Sequence, residues 1–370
     1  MRVIHNDALE RDPARRLQPA DLFPTAEHVE SARRLATRHA SADLREVVLV
    51  RAPIESPTRR IFLALESLQI TGSFKVRGAM LAVERRLARR ADPKSPLEVI
   101  AVSAGHHGIG VALAARTLGA RATIVVPSGA PRTKVDKIAA YGATVIHAQS
   151  PGYDDAEKEA IELAKARGID FLSPYDDLDV LVGNGASLAF EIVRALGRVP
   201  ATVVCPIGGS GLATGLACGL LHEARSFKAP PPAVFGAQSE ASSAFAQSLE
   251  QGSAVTYLAP AKTLAEGLEG GISERAFERS RRLVAGVAVA TEGEIARAMA
   301  FAYRELGLVI EGSAAVALVP VLDAATHPVT RDAMLAPLDH NPAQPSEVND
   351  TVVVLTGRNV DPERLSRIVC

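Results

Sequence analysis

One lysine in the first quarter of the chain has neighbours suited to covalent chemistry. Lys75 lies in residues 71–79, TGSFKVRGA, between a strand-like run and a helical pattern. Phe74 and several small residues flank it, so its amine could occupy a partly dry pocket. Burial lowers the pKa of an ammonium group and makes the amine nucleophilic, as a Schiff-base lysine requires. The alternative is a surface lysine at a helix N-terminus, although the helix dipole disfavours a cation there.

Two glycine-containing loops could each bind an anion. Residues 103–108, SAGHHG, and residues 208–212, GGSGL, both follow a strand-like run and open a helix. Glycine permits positive φ and close backbone approach, so successive N–H groups can point at a carboxylate or a phosphate. Neither loop is specific by itself, because tight α/β turns commonly use glycine. The second loop is neither a dinucleotide-binding GxGxxG nor a Walker A motif.

The elements that must position these residues follow an alternating pattern. Short β-branched runs at 98–104, 122–127, 201–207, 234–238, 287–291 and 351–357 are separated by alanine-rich segments of helical period. This alternation predicts an α/β fold with open, mostly parallel sheets flanked by helices. Thr291 and Glu294 predict a capping box for a helix that Gly307 closes. Residues 324–350 are rich in proline and polar residues and predict a loop.

Composition excludes several classes of protein. The 370 residues are 47% hydrophobic and carry a net charge of −1, so the chain can build one large domain or about two, with no basic footprint for nucleic acid. The longest apolar run, 314–322, is too short to cross a bilayer. The polar opening and three widely spaced cysteines predict a cytoplasmic protein without membrane partners.

The lysine segment carries a resemblance to a known family. SFKVRGA resembles the cofactor-lysine motif SFKxRGA of the pyridoxal phosphate enzymes of the threonine dehydratase/serine racemase family, and ALESLQITG (64–72) resembles their KLExxQxTG. Ordered similarity runs from about residue 20 to 361. It implies pyridoxal 5′-phosphate on Lys75, a homodimer, and the two-domain architecture called fold type II. The expected parts are a polar arm at 1–20, a large domain at 21–96 and 175–370, and a small domain at 97–174.

The resemblance also implies roles for both loops. SAGHHG is similar to the family's SxGNHG, whose serine hydroxyl and backbone amides hold the substrate carboxylate; the matching residues are Ser103, Ala104, Gly105 and His107. His106 stands where the family has an asparagine bonded to the cofactor's 3′-oxygen. GGSGL resembles the phosphate-binding GGGGL, which implies a cofactor role for Gly208, Gly209, Ser210, Gly211 and Leu212. We expect Ser210 either to avoid the left-handed region or to add its hydroxyl to the phosphate shell.

Two further segments resemble the parts that surround the cofactor ring. VVVLTGRNVD (352–361) is similar to VxxLSGGNxD, which implies that the hydroxyl of Thr356 faces the pyridine nitrogen. Arg358 departs from the usual glycine and is expected either to narrow the pocket or to face solvent. Glu311 in LVIEGSAA resembles the glutamate of VEPAGA beside the ring. An ordinary strand-end threonine and a helix-start glutamate are the alternatives.

The family implies an ammonia-lyase that eliminates the β-hydroxyl of a β-hydroxy-α-amino acid, threonine- or serine-like or bulkier. Lys75 would remove the α-proton, and the product would hydrolyse to a 2-oxo acid and ammonia. A β-replacement synthase of the cysteine synthase kind is the alternative, and His107 with Gly108 favours the lyase. Ala104 disfavours a racemase, because alanine cannot transfer a proton. Gln238 replaces the glutamate of the family's cation site, so no divalent metal is expected.

Overall fold

The computed structural model describes residues 1–370 except 10, 11, 13–15, 19, 38–42, 55–58, 91, 93, 327–348 and 370. Most of the predicted loop at 324–350 therefore lies outside the described residues. Its first three residues belong to a helix that ends at Thr326, and the next described strand begins at Asn349.

A seven-stranded sheet forms the larger layer of the fold. Its strand order is β1-β10-β9-β8-β11-β3-β2. The five central strands run parallel, and the two edge strands, β1 and β2, pair antiparallel with their neighbours. The strands are β1 Arg2–His5, β2 Leu49–Arg51, β3 Arg59–Ala64, β8 Thr202–Pro206, β9 Ala233–Ser239, β10 Val284–Ala290 and β11 Asn349–Val354.

A four-stranded sheet forms the second layer and is parallel throughout, in the order β6-β5-β4-β7. Parallel sheets need both faces covered, and the near-continuous apolar runs of β4 and β5 supply side chains for both faces. The strands are β4 Glu98–Val102, β5 Arg121–Val126, β6 Thr144–His147 and β7 Asp170–Phe171.

Helices connect and cover the strands of both sheets. They are α1 Ala26–Thr37, α2 Lys75–Arg89, α3 His106–Leu118, α4 Arg132–Ala140, α5 Tyr153–Arg167, α6 Leu178–Asn184, α7 Ala186–Leu196, α8 Gly211–Phe227, α9 Ala244–Gln251, α10 Glu274–Ser280, α11 Glu292–Leu306, α12 Gly312–Ala315, α13 Val319–Thr326 and α14 Pro362–Val369. Short 3₁₀ turns lie at Glu66–Leu68 and Glu266–Leu268. None of the helices within the described ranges is long and apolar enough to span a membrane.

The predicted fold class is confirmed, and the alternating runs become strands and helices close to their expected places. Thr291 and Glu294 form the predicted capping box, and Gly307 ends α11 with a φ of 64°. The N-terminal arm differs from its description as a polar arm, because residues 2–5 form the edge strand β1 against β10. Such a short edge strand is set by its pairing with a distant partner, which a local pattern does not reveal.

Candidate active site

The lysine segment is anchored by a buried ion-pair triad. Arg77 bonds Glu66 through Nε and Nη2 at 2.7 and 2.9 Å, and Glu191 of α7 through Nη1 and Nη2 at 2.9 and 2.7 Å. Burial disfavours the charge of the guanidinium, but the two carboxylates raise the pKa of Arg77 above its ordinary value. These bonds fix the first turn of α2, and with it the position of Lys75.

Lys75 begins α2 between two aromatic rings. Its Nζ lies 5.1 Å from the ring centroid of Phe74 and 5.5 Å from that of Tyr175. The side chain keeps some solvent contact, yet the protein packed around the amine lowers the pKa of Lys75 to about 8 by desolvation. About a tenth of the amine is therefore neutral and nucleophilic at pH 7.

The loop at 103–108 joins the end of β4 to the start of α3. The hydroxyl of Ser103 accepts a hydrogen bond from the backbone N–H of Gly105 at 2.9 Å. The imidazole of His107 is buried, and its Nε2 donates to the carbonyl of Leu172 at 3.0 Å, because a carbonyl can only accept. Burial, and then the nearby charge of Lys75, lower the pKa of His107 to about 4. His107 is thus a neutral residue that holds the loop.

His106 links the loop to the residue before α12 and to the segment after β11. Its Nε2 lies 2.8 and 3.0 Å from the carboxylate oxygens of Glu311, and its Nδ1 lies 3.0 Å from Nδ2 of Asn359. The same Nδ2 donates to the carbonyl of Thr71 at 3.0 Å. An amide nitrogen only donates, so Nδ1 of His106 accepts and Nε2 carries the proton that bonds Glu311. The hydrogen-bond chain therefore assigns the tautomer.

The segment after β11 lies directly against the lysine segment. The N–H of Phe74 donates to the carbonyl of Thr356 at 3.1 Å, and the N–H of Glu311 donates to that of Gly357 at 3.1 Å. Thr356 is buried, whereas the side chain of Arg358 is exposed. Of the two expectations for Arg358, the structure supports the side chain that faces solvent. The structure therefore places the segments that contain Lys75, Thr356 and Glu311 side by side, and the roles that the motifs imply for these residues stay predictions.

The loop at 208–211 lies between β8 and the 17-residue helix α8, which begins without a side-chain cap. The leading N–H groups of such a helix have no partner within the helix and can bind an anion. Ser210 has a φ of 62°, in the left-handed region, so the expectation that serine avoids this region is wrong. Its hydroxyl donates to the carbonyl of Ala276 at 3.2 Å rather than into the expected phosphate shell. Packing against α10 holds this backbone conformation.

Sequence reasoning missed two residues of this site. The ring of Tyr175 packs on Gly209: a Cβ added to that glycine would lie 2.3 Å from Cδ1 of Tyr175. Tyr175 follows strand β7 at its carboxyl end, where α/β sheets bind ligands, and this position was the available signal. Asn359 lies within the recognised segment 352–361, where it occupies the asparagine position of the motif.

Comparison with known proteins agrees with this geometry. The family model described as pyridoxal-phosphate dependent enzyme matches residues 44–333. The chain belongs to this family. It is 32% identical to the catabolic L-threonine dehydratase TdcB of Staphylococcus aureus (strain USA300) over 84% of this chain and 82% of that protein.

Solved structures give the same fold. Holo diaminopropionate ammonia lyase from Escherichia coli matches with a TM-score of 0.78 and 20% identity, covering 100% of this chain and 96% of that one. A pyridoxal 5′-phosphate-dependent aspartate racemase matches with a TM-score of 0.75 and 24% identity, covering 93% and 98%. The predictions of fold type II, of pyridoxal phosphate as cofactor and of a lyase of this family are confirmed.

The residues of this pyridoxal phosphate enzyme fit its cofactor. The side chain of Lys75 keeps some solvent contact, and the uncapped start of α8 leaves backbone N–H groups for the phosphate, while glycine at 209 admits the ring of Tyr175. At the family's cation position, the Oε1 of Gln238 accepts from the N–H of Ala246 at 3.0 Å. The described part of the chain contains no group of three or more histidine, cysteine or acidic residues arranged for a metal. The absence of a metal requirement stays a prediction.

Proposed function

We propose that this enzyme eliminates the β-hydroxyl of a β-hydroxy-α-amino acid and yields a 2-oxo acid and ammonia. The observation that carries the proposal is the amine of Lys75, with its pKa lowered to about 8, set between two aromatic rings. An anion-binding loop and a helix N-terminus lie beside it. The similarity to a catabolic L-threonine dehydratase over 84% of the chain supports the same reaction class.

The cofactor would occupy the space between the lysine and the two loops. Pyridoxal phosphate, when bound, withdraws electrons from the substrate's Cα and so weakens the bonds to that carbon. Lys75 is the covalent attachment point in this proposal. The other residues proposed to hold the cofactor are Phe74, His106, Gly208, Gly209, Ser210, Gly211, Leu212, Glu311 and Thr356.

Once the amino group of the substrate has displaced it from the cofactor, Lys75 would serve as the base that removes the α-proton. A neutral amine is required for this, and desolvation keeps part of the population neutral near pH 7. The carboxylate of the substrate would bind to the loop that contains Ser103, Ala104, Gly105 and His107. Fixing the carboxylate orients the Cα–H bond toward the amine, which is the main contribution of the protein to the rate.

Thr356 and Ala104 favour elimination over two related reactions. The hydroxyl of Thr356 carries no charge, so it does not hold a pyridine nitrogen protonated as a carboxylate would, and this favours loss of a β-substituent over transamination. Ala104 offers no second acid or base on the opposite face, which argues against racemisation. β-Replacement by a thiol remains the alternative that an experiment must separate.

The test is a product assay on the purified holoenzyme. L-Threonine, L-serine and bulkier β-hydroxy amino acids are supplied with and without a thiol, and ammonia, 2-oxo acid and thioether are measured. We expect ammonia and oxo acid in equal amounts, and a thioether as main product would contradict the proposal. Lys75→Ala should abolish both this activity and the visible absorbance of covalently attached cofactor. Lys158→Ala, at an exposed lysine, is the matched control.

The subunit assembly is proposed from the family resemblance, and the cellular location from the composition of the chain. We infer a homodimer in the cytoplasm, without nucleic acid or membrane partners. The near-zero net charge supports the absence of a nucleic acid partner, and the free, buried thiols of Cys205 and Cys218 suit a reducing compartment.

A further inference from the structure

The proposed phosphate site at residues 208–211 is called the phosphate cup. A short loop, residues 173–177, crosses it and is called the cup strap. Its Tyr175 ring packs on Gly209, as described above. The carbonyls of Pro174 and Tyr175 would lie 3.8 and 3.9 Å from a Cβ placed on Gly211. The strap therefore covers two of the residues proposed to bind the phosphate, and it brings the Tyr175 ring to 5.5 Å from the amine of Lys75.

Two arginines outside the strap contact it: Nη2 of Arg86 donates to Oδ2 of Asp177 at 2.6 Å, and Arg279 contacts the middle of the strap at Asp176. Nη2 of Arg279 donates to Oδ1 of Asp176 at 2.6 Å, and the hydroxyl of Ser273 lies 3.4 Å from both oxygens of Asp176. Within the strap, the hydroxyl of Ser173 accepts from the N–H groups of Tyr175 and Asp176 at 3.3 and 3.2 Å. These contacts give the strap a defined conformation over the cup.

Helix α10 contacts the cup by a second route. Ala276 lies one turn before Arg279 on the same face of the helix, and its carbonyl accepts the hydroxyl of Ser210. The same face of α10 therefore contacts the cup itself, through Ser210, and the strap that lies over the cup, through Asp176. Ser273, which caps the start of α10, contacts the strap from the same side.

The burial of Arg279 is energetically expensive for so few bonds. The residue is 1% exposed, and its Nε and Nη1 have no hydrogen-bond partner in the part of the chain that the structure describes. Unpaired buried donors and desolvated charge both destabilise a fold, and an apolar side chain of similar volume would avoid these costs. The arginine at this position is thus poorly explained by stability alone.

We propose that Arg279 is a positioning residue for cofactor binding: acting through Asp176, it holds the strap and Tyr175 against the cup and makes binding selective for the phosphate-bearing cofactor. This inference rests on the proposed phosphate site at 208–211. Loss of one charge-assisted contact at a partly buried position corresponds to about a tenfold change in affinity.

The experiment titrates apo-protein with pyridoxal phosphate and with pyridoxal, which lacks the phosphate, and follows the visible absorbance of the attached cofactor. Arg279→Met should raise the Kd for pyridoxal phosphate about tenfold and change that for pyridoxal less than about twofold. Asp176→Asn should also raise the Kd for pyridoxal phosphate. The Kd of the double variant should be no higher than that of Arg279→Met. Arg281→Met is the matched control, since Arg281 pairs with Glu278 on its own helix.

Several outcomes would overturn the inference. One is an unchanged ratio of the two Kd values in Arg279→Met. Another is an Asp176→Asn variant with normal affinity beside a weakened Arg279→Met, which would mean that the charge acts without the strap. If Arg279→Met does not fold, Asp176→Asn decides the matter, because Asp176 is 43% exposed. A wild-type protein that binds no pyridoxal phosphate would instead contradict the proposed function.

Discussion

Two buried arginines hold the two halves of the site, and they are bonded very differently. Arg77 in the lysine segment makes four bonds to two carboxylates within 2.9 Å. Arg279, beside the phosphate cup, makes one bond within the described part of the chain, to the partly exposed Asp176. Both side chains are at most 1% exposed.

This difference predicts that the lysine segment is held more rigidly than the strap. Four charge-assisted bonds to two carboxylates restrict the side chain of Arg77 to one geometry. The backbone that carries Lys75 is therefore held in place before any ligand binds. Arg279 has a single charge-assisted bond among the described residues, to a carboxylate that is 43% exposed, so it restrains the strap less than Arg77 restrains α2. We therefore expect the position of Lys75 to be fixed more firmly than that of Asp176.

The largest test of this comparison is the stability of Arg77→Met. Removal of the arginine leaves Glu66 and Glu191 buried without their counter-ion, and we expect a loss of about 3–5 kcal/mol in the free energy of unfolding. Denaturant unfolding of apo-protein measures it. Arg167→Met, at a side chain 45% exposed, should cost less than about 0.5 kcal/mol. If Arg77→Met lost no more free energy of unfolding than Arg279→Met, the conclusion that Arg77 is the more firmly bonded of the two would be wrong.

The reactivity of Lys75 gives a test of intermediate size. The amine reacts when it is deprotonated, so with a pKa of about 8 its neutral fraction rises about tenfold between pH 7 and pH 9. The rate at which apo-protein attaches pyridoxal should follow this rise and level off above pH 9. Nα-acetyl-lysine, whose side-chain amine is free and fully solvated, is measured in parallel, and its rate of reaction should keep rising beyond pH 10. A protein rate that also climbs past pH 10 would show that the lysine is not desolvated.

The smallest effect is expected at Ser210. Replacement by glycine relieves a left-handed conformation that costs serine about 1 kcal/mol, but it also removes the bond to the carbonyl of Ala276, worth about the same. Ser210→Gly should therefore change the free energy of unfolding by less than about 0.5 kcal/mol. Ser210→Ala removes only the bond and should cost about 1 kcal/mol by the same measurement. Equal stabilities of the two variants would contradict this division.

The sequence predicted the features that depend on local pattern. Alternating apolar runs located most of the described strands, and the motifs that contain Lys75, Thr356 and Glu311 lie in segments that the structure places side by side. The roles of these three residues stay predictions. The strand at residues 2–5 and the conformation of Ser210 were missed or predicted wrongly. Both depend on distant partners, β10 and α10, and neither partner leaves a signal in the segment itself.

The same reason explains the contacts of His106 and Tyr175. The identity of His106 as a departure from the motif was visible, but its bonds to Glu311 and Asn359 join residues more than 200 positions apart. Tyr175 shows its role only once Gly209 is placed beneath its ring. Local spacing identifies candidate residues, whereas their tautomers and contacts follow from tertiary packing.

The tautomer of His106 determines how the loop at 103–108 is held in place. One imidazole serves two partners in opposite roles, donating to Glu311 and accepting from Asn359. A rotation of the ring that breaks one bond removes the geometry of the other, so the two bonds form and break together. The start of α3 is consequently held at two points by one side chain, and displacing His106 costs both bonds at once.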